Sequence, residues 1–217
     1  MSSAPRPLFI TLEGIEGAGK GSSTAFIEAW LRQHDIDVVL TREPGGTELG
    51  EALRAMLLGF KHVDMAADTE LLLMFAARAQ HLHQVIRPAL NTGSWVLCDR
   101  FTDASYAYQG GGRGLDAGRI QALEELVQQG LKPDLTLLLD LPVEVGLERA
   151  RQRSAADRFE SEQQAFFERV RTAYLEIAER EPERVKRIDA SAPLETVQAR
   201  IARALEEALN VTRRGAR

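Results

Sequence analysis

The stretch Glu13-Gly14-Ile15-Glu16-Gly17-Ala18-Gly19-Lys20 limits what this chain can fold into more than any other. An apolar, β-type run, Leu8-Phe9-Ile10-Thr11-Leu12, leads into it, and a helical pattern begins at Lys20. Gly14, four intervening residues, Gly19 and Lys20 have the spacing of a phosphate-binding loop. In such a loop the glycines let backbone N–H groups converge on phosphate oxygens, and the following helix adds the positive end of its dipole. Lys20 is expected to reach the β- and γ-phosphates. Gly14, Ile15, Glu16, Gly17, Ala18, Gly19, Lys20, Gly21 and Ser22 are therefore the candidate nucleotide-binding residues. The hydroxyl residue that normally follows the lysine and holds Mg²⁺ is absent; Gly21 stands there, followed by Ser22, Ser23 and Thr24. Either Ser22 or an acidic side chain positions the metal, or ATP and water hold most of it.

The 217 residues suffice for one α/β domain. Acidic residues outnumber Lys and Arg by 32 to 27, which argues against a general nucleic-acid binder. The single cysteine, Cys98, lies in an apolar run and reads as a buried thiol. No internal disulfide is possible, and no run is long enough to span a membrane, so a cytoplasmic setting is expected. Apolar runs near residues 8–12, 37–41, 95–98, 134–140 and 185–189 alternate with helical patterns. That order predicts a parallel sheet of five strands with helices on both faces. Residues 1–7 read as a flexible start, 8–209 as one domain, and 210–217 as a loose basic tail.

Strand ends are where ligands bind in such sheets. After the second strand comes Thr41-Arg42-Glu43-Pro44-Gly45-Gly46-Thr47, a tight turn with a charged pair. The third helix, expected from an Asp68 cap to Leu90, opens apolar on all sides and so reads as buried, with Arg78 in its next turn. Phe75 and Arg78 lie three apart and project from one face, where they suit a nucleobase. The third strand ends at Asp99-Arg100; the carboxylate suits Mg²⁺ or its waters and the guanidinium suits a phosphate. Ser105, Tyr106, Tyr108 and Gln109 then precede a glycine run, the composition of a specificity loop. Arg149, Arg151, Arg153 and Arg158 fall within ten residues around a break in the helical pattern, at about 149–160, and read as a basic flap over a triphosphate.

Together these motifs resemble bacterial thymidylate kinase (dTMP kinase). The similarity runs from about Leu8 to Leu209 through Leu12–Lys20, Thr41–Thr47, Asp99-Arg100-Phe101, Tyr108–Gly114, Asp157-Arg158-Phe159-Glu160 and Ile188-Asp189-Ala190. The resemblance implies phosphorylation of dTMP by ATP with Mg²⁺, on a three-layer nucleoside-monophosphate-kinase fold that usually forms a homodimer. It implies that Glu16 lies near the sugar 3′-hydroxyl and metal-bound water, and that Phe75 stacks on thymine. Arg78 would bond O4, Ser105 would lie near N3, and Gln109 belongs to the same acceptor pocket. Arg42 and Arg100 would hold the dTMP phosphate, Tyr106 would lie against the 2′ carbon, and the Ser191 loop would border adenine. Some members carry a catalytic arginine in the phosphate loop. Gly17 stands there in this chain, so Arg149, Arg151 and Arg153 are expected to serve instead, with Glu160 either anchoring the flap or helping with metal. A kinase for another nucleoside monophosphate is the alternative within enzymes. A GTPase-like switch would need Asn-Lys-x-Asp and Asp-x-x-Gly segments, and the chain has neither. Gly21 alone raises the thought of an inactive binding paralogue.

Overall fold

A computed structural model describes residues 6–59, 64–152, 158–160 and 162–215. Five strands, β1 (Phe9–Glu13), β2 (Val38–Arg42), β3 (Trp95–Asp99), β4 (Leu135–Asp140) and β5 (Val185–Asp189), form one sheet in the order β2-β3-β1-β4-β5. Every pairing is parallel, as the alternation with helices requires. β1 and β4, covered on both faces, are buried at every residue, which explains their largely apolar sequences. Their two threonines face each other: the Thr11 and Thr136 hydroxyls lie 2.7 Å apart.

The strand order creates the site. From β1 the chain crosses to β2 on one side, whereas from β3 it crosses to β4 on the other. The crevice beyond the carboxyl ends of β1 and β3 lies at this reversal, where open α/β sheets bind ligands. It is flanked by the loop at 14–19 and by Asp99-Arg100.

The helices are α1 (Lys20–Gln33), α2 (Glu48–Leu58), α3 (Ala67–His81), α4 (Arg87–Asn91), α5 (Thr102–Ser105), α6 (Ala117–Gln128), α7 (Val143–Arg151), α8 (Gln164–Arg180) and α9 (Leu194–Gly215). Four expectations need correction. The third helix is capped by Ala66 rather than Asp68, whose carboxylate pairs with Arg119 instead. It does not run on to Leu90 as one α-helix: a π-helical segment, Leu82–Ile86, separates α3 from α4. Pro88, in the first turn of α4, has no N–H to donate backwards, so the α pattern loses a bond there. Nor is α3 buried on every side, because Leu72 is 57% exposed. The tail also differs, since residues 210–215 continue α9, with Leu209 and Thr212 buried beneath it. Cys98 is buried, and burial pushes its thiol well up from the ordinary value. Among the described residues no helix is long and apolar enough to cross a membrane.

Candidate active site

The loop after β1 is shaped by its glycines. Gly14, Gly17 and Gly19 all have positive φ, and Gly19 caps α1 in the left-handed conformation. No side chain caps α1, and its first turn holds no acidic residue. The leading N–H groups of a fourteen-residue helix therefore stay available to an anion. The Lys20 ammonium folds back on the loop, donating to the Gly14 and Ile15 carbonyls at 3.1 and 3.2 Å. Loss of water, and then the charge of Arg100, lowers its pKa to about 8.

Glu16 through Gly21 line one wall of a cavity of about 310 Å³, whose other walls include Glu43, Arg54, Met74, Arg78, Asp99, Arg100, Ser105, Tyr108, Gln109, Phe159 and Glu160. Of the candidate residues named from the sequence, Glu16, Lys20, Arg78, Asp99, Arg100, Ser105 and Gln109 are thus brought together around this cavity. Gly14 and Ile15 support the loop from behind. Glu16 accepts hydrogen bonds from Arg100 at 2.8 Å and from the Tyr108 hydroxyl at 2.7 Å. Arg100, itself at a positive φ, lies with its guanidinium carbon 4.7 Å from the centre of the Tyr108 ring. Arg78 is held by Glu43 through Nε at 2.7 Å and by Phe101 O and Ser105 Oγ through Nη2. Gln109 donates to Glu70 at 2.9 Å.

Two polar side-chain atoms are buried without a hydrogen-bond partner among the described residues: Arg78 Nη1 and Asp99 Oδ1. Both residues line this cavity. A buried polar atom left unpaired costs about 1–3 kcal/mol, so one donor and one acceptor are left for a ligand.

Several expected residues stand elsewhere. Phe75 does not line the cavity; its ring packs with Leu71 and Ile120 beneath the Arg78 guanidinium, and Met74, one full turn before Arg78, lines the cavity in its place. Tyr106 turns away to donate to Glu124 and lines a second cavity, while Tyr108 enters the first. Arg42 forms an exposed pair with Glu51 at 2.8 Å, and Arg54 on α2 lines the cavity instead. Ser22 is exposed and donates to the Gly19 carbonyl of its own loop. At Gly21 an added Cβ would meet nothing within 4 Å, so a hydroxyl residue would fit. Ser191 sits exposed after β5 and bonds Asp189. Arg149 and Arg151 end α7 on its exposed side, with Arg149 donating to Ala190 O. Arg153 lies outside the described residues, as do residues 154–157 of the expected flap. Beyond it, Arg158 donates to Leu57 O and Glu70, which seats Phe159 and Glu160 against the cavity.

Glu13 was not expected as a functional residue. It is completely buried, accepting from the Phe101 N–H at 2.7 Å, with the Tyr174 hydroxyl 2.7 Å from its other oxygen. Burial, and then the charge of Asp103, raise its pKa from 4.5 to about 8. A folded-state pKa above the unfolded one favours folding fully below pH 4.5, and that contribution is lost as pH rises through 8. Glu13→Gln keeps both contacts without an ionisation. Its melting temperature should exceed the parent's at pH 9, with the difference vanishing near pH 5; melts across that range with a constant gap would exclude this account.

A family model for thymidylate kinase matches residues 12–201. A thymidylate kinase from Pseudomonas putida (strain GB-1) is 65% identical over 191 residues, covering 88% of this chain and 91% of that protein. One from Alkalilimnicola ehrlichii is 60% identical over 205 residues, covering 94% and 93%. The crystal structure of thymidylate kinase from Ehrlichia chaffeensis superposes with a TM-score of 0.75 at 34% identity, covering 93% of this chain and 99% of that one. A phosphate loop opening on a cavity with an unpaired guanidinium donor, and a match of this extent, lead to one conclusion: the chain belongs to the thymidylate kinase family, enzymes that phosphorylate dTMP to dTDP.

Proposed function

We propose that this chain uses ATP with Mg²⁺ as the donor, and that both substrates meet in the cavity between the phosphate loop and Arg78. The observation that carries the reading is the pair of unpaired buried atoms, Arg78 Nη1 and Asp99 Oδ1, both in residues that line the same cavity as the loop. Nη1 offers only N–H donors, so it suits the O4 carbonyl of thymine and repels the amino group of cytosine. Gln109, whose amide nitrogen is committed to Glu70, has its carbonyl oxygen to offer the base N3–H, with the Ser105 hydroxyl beside it. Met74 supplies the apolar surface against the base. Arg54 and Arg100 take the acceptor phosphate, and Tyr108, bonded to Glu16, bounds the sugar.

On the donor side, the N–H groups of residues 17–20 and the Lys20 ammonium hold the phosphates. Phosphoryl transfer needs little else than alignment and charge neutralisation. Asp99 Oδ1 is a free acceptor that fits a metal ion or its water, whereas Ser22 is turned away. Among the described residues no three acidic or imidazole side chains form a metal cage, so nucleotide oxygens and water would complete the shell. Bound Mg²⁺ would neutralise charge across the transferred phosphate. Arg149, Arg151 and Arg153 remain the candidates for additional positive charge.

Steady-state rates with dTMP, dUMP and dCMP test this reading. The base methyl is worth about 1–3 kcal/mol, so dUMP should be used about 10–200-fold less well and dCMP less still. Met74→Ala should raise the KM for dTMP by about tenfold, while Phe75→Leu changes it less than twofold. Turnover of dCMP as efficient as that of dTMP would refute the assignment of Arg78.

The protein is proposed to act as a homodimer in the cytoplasm. Leu49 and Met56, seven apart on α2, and Leu72 on the neighbouring α3 are exposed large apolar side chains that a second copy would cover. Sedimentation should give a dimer mass, reduced to a monomer by Leu72→Glu; a monomeric parent would refute this.

A further inference from the structure

Behind Arg78 lies a chain of three buried or half-buried groups that the phosphoryl-transfer chemistry does not use. The Thr41 hydroxyl is 2.6 Å from His81 Nε2, and His81 Nδ1 is 3.0 Å from Glu43 Oε1. The other carboxylate oxygen, Oε2, accepts from Arg78 Nε at 2.7 Å. His81 is fully buried, and Glu43 and Arg78 are each at most 5% exposed. A carboxylate only accepts, so His81 must present Nδ1–H to Glu43. Thr41, as donor or acceptor, then satisfies Nε2 in either protonation state. His81 and Arg78 lie three apart on one face of α3, which lets a single carboxylate bridge them.

We propose that His81 and Glu43 are positioning residues that set the in-plane angle of the Arg78 guanidinium, and through it the choice of acceptor base. This rests on the reading that Arg78 Nη1 contacts the base. The guanidinium carbon sits 4.4 Å from the Phe75 ring centre and 4.9 Å from that of Phe101. Ring faces fix its height but carry no direction within the plane, so the direction comes from the hydrogen bonds at Nε and Nη2. With both Glu43 oxygens engaged, the carboxylate cannot turn about its Cγ–Cδ bond. Nη1, the remaining nitrogen, is left without a hydrogen-bond partner, in a residue that lines the cavity. The turn above seals the assembly: Gly46, at φ +77, packs so closely that an added Cβ would lie 2.6 Å from both His81 Nε2 and Thr41 Oγ1.

The test compares two amides at residue 81. In His81→Asn the amide nitrogen replaces Nδ1 and keeps the bond to Glu43; in His81→Gln it replaces Nε2, keeps Thr41 and loses Glu43. The readout is the ratio of kcat/KM for dTMP over dCMP, which a residue serving only stability would leave unchanged. His81→Gln should lower the ratio about tenfold and raise the KM for dTMP but not for ATP, and His81→Asn should stay within about twofold of the parent. Thr41→Val, at a half-buried position, releases Nε2 and should shift the ratio in the same direction if the substitutions at 81 do not fold. Arg78→Lys is the control. If it lowers the ratio and neither His81→Gln nor Thr41→Val does, the positioning role is overturned. If Arg78→Lys itself leaves the ratio unchanged, the base reading fails and takes this inference with it.

Discussion

Lys20→Ala should lower turnover by on the order of 10²–10³-fold while leaving dTMP affinity within about twofold. The two effects separate because Lys20 lies on the loop wall, against the Gly14 and Ile15 carbonyls, and the acceptor groups Arg78, Ser105 and Gln109 lie on other elements. Its ammonium is already depleted of water, with a pKa of about 8, so a phosphate entering the loop meets a charge that needs little further desolvation. A coupled ADP-release assay and calorimetric titration with dTMP measure the two quantities. Turnover within a few-fold of the parent would remove the loop from the mechanism.

Gly17→Ala should be nearly as damaging, for a different reason. Gly17 has φ +70, and an added Cβ would overlap the Gly146 carbonyl oxygen at the start of α7. The left-handed conformation costs a non-glycine residue roughly 1–2 kcal/mol. The overlap itself is relieved only if the loop or α7 withdraws. α7 carries Arg149 and Arg151, so withdrawal misplaces both the loop amides and those charges. A misplacement of about 1 Å costs on the order of 10²-fold, which is the loss expected in kcat/KM for ATP. Gly21→Ala is the internal control, since its added methyl meets nothing within 4 Å. Equal kinetics for the two variants would contradict the packing argument. The same geometry explains why the phosphate loop of this chain has no arginine at residue 17: there is no room for a side chain.

The parts of the site that were legible in the sequence are those where backbone conformation or an element's end dictates residue type. Gly14, Gly17 and Gly19 each need a positive φ, and Asp99 and Arg100 fall where an apolar strand stops. Arg78 stood out because an arginine in an apolar helix needs partners, and Glu43, Phe101 and Ser105 supply them. What was not legible is rotation about a helix axis. Phe75 and Met74 are neighbours in sequence, and an i,i+3 rule correctly joins Phe75 to Arg78 without saying which side of the pair faces the cavity. The larger apolar ring went to the cluster with Leu71 and Ile120. Tyr106 and Tyr108 were exchanged for a related reason. Residues 106–112 form a π-helix, whose wider turn departs from the 3.6-residue α-helical phase, so spacing does not say which tyrosine faces the cavity. Arg42 was expected at the acceptor phosphate from the resemblance alone, but Glu51 on the next helix captures it, and nothing in the spacing pointed to Arg54. Glu13 and His81 gave no signal, since burial of a lone ionisable residue depends on partners distant in sequence, Tyr174 and Glu43.

The most direct test is diffraction from crystals of this chain grown with dTMP and a non-hydrolysable ATP analogue. Arg78 Nη1 should lie within hydrogen-bonding distance of the pyrimidine O4, Met74 against the base, and the amides of residues 17–20 on the donor phosphates. A base lodged in the second cavity beside Tyr106, or an Nη1 that stays unpaired with both nucleotides bound, would contradict the account.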